Sequence, residues 1–261
     1  MGHLSDRKPI DISPFFDGSL SKLFLVKGKN ALIVKCLKSE YCDNIDLITR
    51  FRNEARILES LNHQQTPQLV KVNLSRPRPY FAYEYIKGMT LETLLINNTL
   101  SLTQGIDITR QLLTILSDLH ERNKPIIHSD ISPANIVYSK EQQIHLIDFG
   151  CAKQLDHNNE LAHTWIGRHA YLSPEQAQGH GWNASSDFFQ VGLLAYEMLT
   201  GKRRNAGITV KELLPLAANP APLEFEHIDS PYQLFLSTLL STDIDKRFQS
   251  CADALLELNK L

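Results

Sequence analysis

The sequence lacks the features that mark several classes of protein. Lysine and arginine total 27 against 29 aspartate and glutamate, so a formal net charge of −2 leaves no basic excess for a nucleic-acid backbone or an anionic membrane. The longest nearly apolar run, 191–196, is far shorter than the roughly 20 residues that cross a bilayer, and no secretory signal pattern is visible. We expect a soluble cytoplasmic protein, in its own cell or in one to which it is delivered, with no nucleic-acid partner and no membrane insertion.

Cysteine is also scarce, and no two cysteines have the C-x-x-C spacing of a metal or redox site. The four cysteines in 261 residues are too few for a disulfide framework, so free thiols are expected. Hydrophobic residues make up 43% and charged residues 21%, which excludes collagen-like and disordered chains. The sequence therefore predicts an ordinary folded protein with a sizeable core.

Hydrophobic periodicity changes along the chain. Strands are predicted at 23–26, 31–34, 69–74 and 80–86. Apolar residues at helical spacing predict one amphipathic helix over 46–61 in this first part. Beyond a connector at Gly88, helices are predicted at 102–121, 185–199, 232–240 and 252–258. The pattern favours an α+β fold with a small sheet-rich lobe and a larger, mainly helical lobe.

Three polar residues follow apolar strands in the middle of the chain. Asp130 and Asn135 lie in I-I-H-S-D-I-S-P-A-N-I-V (126–137), and Asp148 ends the run I-H-L-I-D in 144–150. Phosphoryl transfer from ATP needs oxygen ligands for Mg²⁺ and a carboxylate that orients the attacking hydroxyl. Asn135 and Asp148 suit the metal, and Asp130 suits the hydroxyl. Each residue taken alone is better explained as a cap of a turn between buried strands.

Two upstream residues strengthen the phosphoryl-transfer reading. Lys35 closes the strand A-L-I-V-K, where its ammonium can reach phosphate oxygens. Glu54 lies in the middle of the predicted helix, 19 residues later, and can pair with Lys35. Such a pair positions the ammonium, and its net contribution to stability need not be large.

These motifs together resemble the eukaryotic-type protein kinases, and most closely their bacterial Ser/Thr branch. The resemblance covers about Phe15 to Phe248 and includes, besides the residues above, A-Y-E-Y-I-K-G (82–88), Y-L-S-P-E-Q-A-Q-G (171–179), S-D-F-F-Q-V-G-L-L-A-Y-E-M-L-T-G (186–201) and D-K-R-F (245–248). It implies one bilobal kinase domain over 1–261, with an N-lobe to about residue 84, a hinge at 84–88 and a C-lobe from residue 89. ATP and Mg²⁺ are the implied cofactors.

The resemblance also implies roles for individual residues. The Glu84 carbonyl and the Ile86 amide are expected to bond the adenine edge, and Leu23, Ile33 and Val137 to enclose its faces. Phe15 and Gly18 are expected beside the nucleotide. A buried stack of Leu58, Val72, Phe149 and His128, anchored by Asp187, is expected to link the lobes. The catalytic loop lacks the A-A-R or R-A-A pattern of tyrosine kinases, which favours Ser/Thr hydroxyls of proteins as acceptors.

The chain departs from the family pattern at several positions. The glycine-rich loop, G-x-G-x-x-G in the family, keeps only Gly18 in F-D-G-S-L-S, so fewer backbone amides can approach the phosphates. Ser129 replaces the arginine that pairs with a phosphorylated activation loop, so the chain is of the non-RD type and activity is expected not to depend on a phosphate at Thr164. Ser132 replaces a lysine that contacts the γ-phosphate, and Arg168 is a candidate to supply that missing charge as a catalytic residue.

Two other functions stay open at this point. The single loop glycine and the absent lysine are also compatible with a catalytically weak pseudokinase or scaffold. Small-molecule kinases share an H-x-D-x-x-x-x-N loop, although they lack counterparts of 171–176 and 187–192. The motifs identify no regulatory partner.

Overall fold

The structure, a computed structural model, describes residues 11–75, 77–96, 99–156, 169–204, 209–225, 228 and 230–261. The chain divides into two compact units. The first runs to Asn62 and resumes over Pro67–Ile86, and the second comprises His63–Thr66 and Lys87–Leu261. Within the described ranges, no helix is both long and apolar enough to span a bilayer.

The first unit is an antiparallel sheet with a helix. Its strands are β1 (Asp11–Asp17), β2 (Ser21–Lys27), β3 (Leu32–Leu37), β4 (Leu69–Asn73) and β5 (Tyr80–Glu84), in the order β1-β2-β3-β5-β4. Helix α1 (Ile45–Ser60) begins after Asn44, whose side chain accepts a hydrogen bond from Leu47 N at 3.1 Å. The predicted hairpin of β2 and β3 is confirmed, and the predicted helix is displaced by a single residue.

The second unit contains short strands and most of the helices. Its elements in chain order are β6 (Met89–Thr90), α2 (Leu91–Leu95), α3 (Leu102–His120), β7 (Ile126–Ile127), β8 (Ile136–Tyr138), β9 (Ile144–Leu146), β10 (Lys153–Gln154), α4 (Pro174–Ala177), α5 (Ala184–Thr200), α6 (Val210–Ala218), α7 (Ser230–Leu239) and α8 (Cys251–Leu258). Strands β6, β8 and β9 form one antiparallel sheet, and β7 pairs with β10. The predicted α+β class is confirmed, as are the helices predicted at α3, α5, α7 and α8.

Helix α5 is the centre of the second unit because nearly every residue from Ser185 to Met198 is buried. A helix that is buried on all sides must be covered by other elements, and α3 and α7 pack against α5. The helix ends at Gly201, whose φ of 67° is the left-handed conformation that glycine adopts without steric cost.

Gly88 lies where the chain enters the second unit and passes close to β8. A Cβ atom at this position would lie 2.5 Å from the Tyr138 carbonyl oxygen and 2.6 Å from a methyl carbon of Val137. Only glycine therefore permits the pairing of Met89 and Thr90 with β8 that follows directly.

Candidate active site

A lysine and a glutamate meet between the sheet and the helix of the first unit. Lys35 lies on the buried face of β3 and is in register with Phe81 of β5. The Phe81 ring packs against Phe51 of α1, with ring centroids 4.8 Å apart. Glu54 follows Phe51 by three residues and so lies on the same face of the helix. Lys35 Nζ consequently donates to Glu54 Oε1 at 2.6 Å.

The Lys35–Glu54 pair is almost enclosed, with 10% and 6% of the two side chains exposed. Taking each charge out of water costs on the order of several kcal/mol, which their attraction largely offsets. The pair therefore contributes little net stability and mainly determines where the ammonium group lies. The contact predicted from the sequence spacing is present, and its role toward a nucleotide stays a prediction.

In the second unit, the β8–β9 hairpin brings Asn135 and Asp148 to one end. Asn135 directly precedes β8, and Asp148 follows β9 by two residues. Ile136 pairs with Leu146 across the hairpin, and Ile147 N donates to the Asn135 carbonyl oxygen at 2.8 Å. The side chains of Asn135 and Asp148 therefore start from neighbouring backbone positions.

The same asparagine orients the carboxylate of Asp130. Asn135 Nδ2 donates to Asp130 Oδ2 at 2.8 Å and to the Asp130 carbonyl oxygen at 2.9 Å. Both residues are buried. Because the amide nitrogen is directed at Asp130, the amide oxygen Oδ1 is the atom of Asn135 that suits a cation.

The predicted metal-holding residues fit a magnesium ion chemically. Mg²⁺ prefers oxygen ligands and is usually held by one or two protein groups together with substrate phosphates and water. Asp148 supplies a carboxylate and Asn135 an amide oxygen at the same end of the hairpin. Asp148 has φ of 63°, a conformation that costs a residue other than glycine about 1–2 kcal/mol, and Gly150 N donates to its Oδ1 at 3.3 Å. Strained residues of this kind cluster at functional sites.

Asp187 fixes the backbone that leads to Asp130. This fully buried carboxylate in the first turn of α5 accepts a hydrogen bond from His128 N at 2.9 Å and another from Ser129 N at 2.8 Å. His120 Nε2 also lies 2.9 Å from Asp187 Oδ2. The anchoring contacts expected of Asp187 are therefore present within the second unit.

One contact of the predicted stack lies within the second unit. The His128 ring meets the Phe149 ring edge-on in the second unit, with centroids 5.0 Å apart, and both residues are fully buried. Leu58 is buried on α1 of the first unit. Val72 is also in the first unit, where 39% of this residue is exposed, and its place in the stack stays a prediction. It lies on β4, an edge strand with a neighbouring strand on one side only.

The residues predicted to bind the nucleotide come from several strands. They are Phe15 on β1, Leu23 on β2, Ile33 on β3, Glu84 and Ile86 at and after the end of β5, and Val137 on β8 of the second unit. Ile33 and Val137 are buried, whereas half of Phe15 is exposed. The Phe15 ring meets Tyr85 edge-on at a centroid distance of 5.7 Å, a contact that sequence reasoning missed. An aromatic residue within the predicted hinge was the only available signal.

Gly18 closes the turn between β1 and β2. Its amide donates to the Ser21 carbonyl oxygen at 3.0 Å. A Cβ atom at Gly18 would lie 3.2 Å from that oxygen and 3.3 Å from the ring of Phe16, which is closer than ordinary contact. A side chain at this position would therefore require the turn or the Phe16 ring to shift by a few tenths of an ångström.

Two predicted residues, Arg168 and Thr164, lie outside the described residues, so Arg168 stays a candidate from the sequence. Ser132, at the position of the family lysine, is fully buried. Its hydroxyl has no hydrogen-bond partner in the part of the chain that the structure describes. Ser132 is neutral and thus supplies neither a positive charge nor an ion pair at this position.

Sequence reasoning missed three neutral residues that contact Ser129, next to Asp130, namely Gln176, Trp182 and Gln190. Gln190 was detectable, because it is the one amide in the apolar run 188–196 of a helix predicted to be buried. Buried amides need hydrogen-bond partners. The hydrogen-bond partners of that amide could not be predicted from its position in the sequence.

Comparison with known proteins identifies the family. Residues 17–257 match the protein kinase domain, and the chain belongs to that family. It is 32% identical to the serine/threonine-protein kinase PknB of Mycolicibacterium smegmatis over 270 residues, covering 96% of this chain and 42% of that protein. It is 30% identical to the serine/threonine-protein kinase PrkC of Bacillus subtilis over 191 residues, covering 71% of this chain and 29% of that protein.

A third relative, the serine/threonine-protein kinase PknB of Mycobacterium leprae, is 33% identical over 214 residues, covering 77% of this chain and 33% of that protein. The chain thus spans less than half the length of these relatives. The resemblance to Hanks-type bacterial kinases drawn from the motifs is confirmed at the level of the family.

Proposed function

We propose that this chain is a protein kinase that transfers the γ-phosphate of ATP to Ser or Thr hydroxyls of proteins, with Mg²⁺ as cofactor. The observation that carries the proposal is the contact of Asn135 with Asp130, in a chain whose sequence matches the protein kinase domain. The relatives named serine/threonine-protein kinases support the class of acceptor.

Asp130 is the group that acts on the acceptor. Its carboxylate accepts a hydrogen bond from the incoming hydroxyl. A lone pair of the hydroxyl oxygen then points toward the phosphorus. The hydrogen bond from Asn135 Nδ2 engages Oδ2 of Asp130, so Oδ1 is the oxygen that we assign to the substrate hydroxyl. Positioning of this kind provides much of the rate in a reaction that needs little covalent chemistry from the protein.

Asn135 and Asp148 would hold the metal through Oδ1 of the amide and the carboxylate. Bound Mg²⁺ neutralises charge on the β- and γ-phosphates. Lys35 would donate to phosphate oxygens, and Glu54 keeps its ammonium in place through the 2.6 Å contact. Leu23, Ile33 and Val137 would cover the adenine, Phe15 and Gly18 would lie beside the nucleotide, and the backbone at Glu84 and Ile86 would bond the base.

Ser129 supports the proposal that this kinase is of the non-RD type. An arginine before the catalytic aspartate couples activity to a phosphate because its charge needs a partner. Ser129 is neutral, fully buried and hydrogen-bonded through its side chain to Trp182. We therefore infer that transfer proceeds without activation-loop phosphorylation. A cytoplasmic location stays a prediction from the sequence.

A catalytically weak pseudokinase is the second candidate. The single glycine at Gly18 and the neutral Ser132 at the position of the family lysine favour slow transfer, because both reduce donor contacts to the phosphates. The small-molecule kinase alternative has less support, since residues 17–257 match the protein kinase domain.

Transfer of labelled phosphate from ATP to a degenerate Ser/Thr peptide array tests the proposal. Asp130→Asn removes the proton acceptor and should lower kcat about 100- to 10,000-fold. Asp118→Asn, the same change at an exposed position on α3, should leave kcat within about twofold of wild type. Wild-type protein that binds ATP but transfers no more phosphate than Asp130→Asn would be a pseudokinase. Transfer to small hydroxyl compounds but not to peptides would identify a small-molecule kinase.

A further inference from the structure

The peptide groups on either side of Asp130 are both bonded to a single side chain from another element. Gln190 of α5 donates through Nε2 to the Ser129 carbonyl oxygen at 2.9 Å. Its Oε1 accepts a hydrogen bond from Ile131 N at 2.7 Å. The donor and acceptor ends of one amide therefore bridge the catalytic aspartate, and Gln190 itself is almost fully buried.

Two further neutral groups complete this arrangement. Gln176 of α4 donates through Nε2 to the Ser129 carbonyl oxygen at 3.3 Å, and its Oε1 accepts from Gln190 Nε2 at 3.1 Å. Trp182 donates through Nε1 to Ser129 Oγ at 2.9 Å. The Trp182 ring is held by packing against Ile127 and Leu155. We call Gln176, Trp182 and Gln190 the amide–indole clamp.

The clamp acts on a segment that would not hold this shape unaided. Ser129 has φ of 66°, which a residue other than glycine keeps only where the surroundings impose it. Inside a protein, buried peptide groups must find partners, and each partner here restricts the orientation of the peptide. Two carbonyl contacts, one amide contact and one hydroxyl contact therefore restrain the backbone from Ser129 to Ile131. None of the three clamp residues is charged at any ordinary pH.

We propose that Gln190 is a positioning residue of phosphoryl transfer. The amide–indole clamp holds Asp130 in its reactive orientation by neutral hydrogen bonds. In regulated kinases, the arginine before the catalytic aspartate makes a charge-dependent contact at this place. This inference rests on the proposed function. Gln190 touches neither acceptor nor nucleotide, and it acts through the peptide groups on both sides of Asp130. Displacing a reacting group by about 1 Å can lower a rate about 100-fold.

Gln190→Met tests the inference because it keeps the length of the side chain and removes both bonds. We expect kcat to fall about 10- to 100-fold while KM for ATP stays within about twofold. The matched control is Gln233→Met on α7, where the amide donates to the carbonyl oxygens of Phe225 and Ile228 at 2.9 and 2.7 Å. This control should lower the melting temperature and leave kcat within about twofold of wild type. Folded Gln190→Met with the kcat of wild type would overturn the inference.

Gln190→Glu adds a pH readout and decides the matter if Gln190→Met does not fold. A protonated glutamic acid can donate to Ser129 and accept from Ile131 as the amide does, whereas the ionised form cannot donate. The ratio of its kcat to that of wild type should therefore rise as the pH falls, by at most about tenfold per pH unit. A ratio that is independent of pH would overturn the inference.

The proposed function can fail separately. Wild-type protein that transfers no phosphate refutes both the proposed function and this inference. Active wild type together with an equally active Gln190→Met, or with a pH-independent ratio for Gln190→Glu, refutes the inference alone.

Discussion

The His128 imidazole joins the catalytic loop to the core of the second unit. Its Nδ1 accepts a hydrogen bond from Asp130 N at 3.3 Å, which leaves the proton of the neutral ring on Nε2. Burial lowers the pKa of His128 below its ordinary 6.5, and the charges of Asp187 and Asp148 only partly oppose that shift. The folded protein therefore keeps the ring neutral at pH values where the unfolded chain binds a proton.

The pH dependence of stability follows from this shift. Below about pH 6.5 the unfolded state binds more protons than the folded state, so the free energy of unfolding decreases with falling pH by at most about 1.4 kcal/mol per pH unit. His128→Phe keeps a ring against Phe149 and removes the titrating group. We expect the variant to lose less stability than wild type between about pH 7.5 and about pH 5.5, in urea unfolding at each pH. Equal losses for the two proteins would contradict the assigned shift.

Helices α4 and α5 are tied to the segment before α8 by a buried ion pair. Arg247 donates from Nη1 and Nη2 to the two carboxylate oxygens of Glu175, at 2.8 and 2.9 Å. The guanidinium also lies over the Phe189 ring, 4.8 Å from its centroid. Burial by itself raises the pKa of Glu175, but the hydrogen bonds and charge of Arg247 outweigh it, so this pKa lies below its usual value.

Arg247→Lys should show that these elements depend on the forked shape of the guanidinium rather than on its charge. A lysine cannot bond both carboxylate oxygens in the same plane, and we expect the free energy of unfolding to fall by about 1–3 kcal/mol. Arg122→Lys is the control. Arg122 follows α3 and forms a partly exposed ion pair with Asp118 of that helix, so this substitution should change the free energy of unfolding by less than about 0.5 kcal/mol. Chemical denaturation measures both. Similar small changes at the two positions would contradict this assignment.

Local patterns predicted the elements better than they predicted the contacts between them. The 3.6-residue spacing of apolar residues located α1 and α3 because each helix buries one face. The exposure of Val72 could not be predicted, since a strand of alternating apolar residues gives no indication that it will lie at the edge of its sheet. The contact between Phe15 and Tyr85 depends on strand register for the same reason.

At the scale of the whole chain, the match to the protein kinase domain extends over residues 17–257 of 261. The formal net charge of −2 gives the chain no strong field for drawing in a charged partner. The longer relatives contain sequence beyond the segment that matches this chain.

Binding of nucleotide and metal should be visible in the stability of the whole protein. A ligand at 100 times its Kd adds about 2.7 kcal/mol of stability to a folded protein. For a chain of this size, we expect Mg²⁺ with ATP to raise the melting temperature by about 5–10 °C, measured by thermal shift. The Asp148→Asn variant should lose most of the Mg²⁺-dependent rise in melting temperature. The Asp118→Asn variant, changed at an exposed position, should keep that rise. An unchanged melting temperature at saturating Mg²⁺ and ATP would argue against nucleotide binding.

The sequence alone determined the family, the α+β class and the identity of the polar and charged residues that the motifs place at the candidate site. Lys35, Glu54, Asp130, Asn135 and Asp148 could be read from their order because each stands at a recognisable strand end or helix position. Only the tertiary structure decided how neutral residues support them. Gln190 meets Ser129 and Ile131 because α5 passes beside the catalytic loop, and a hydrogen bond between residues about sixty positions apart depends on packing that no local pattern records.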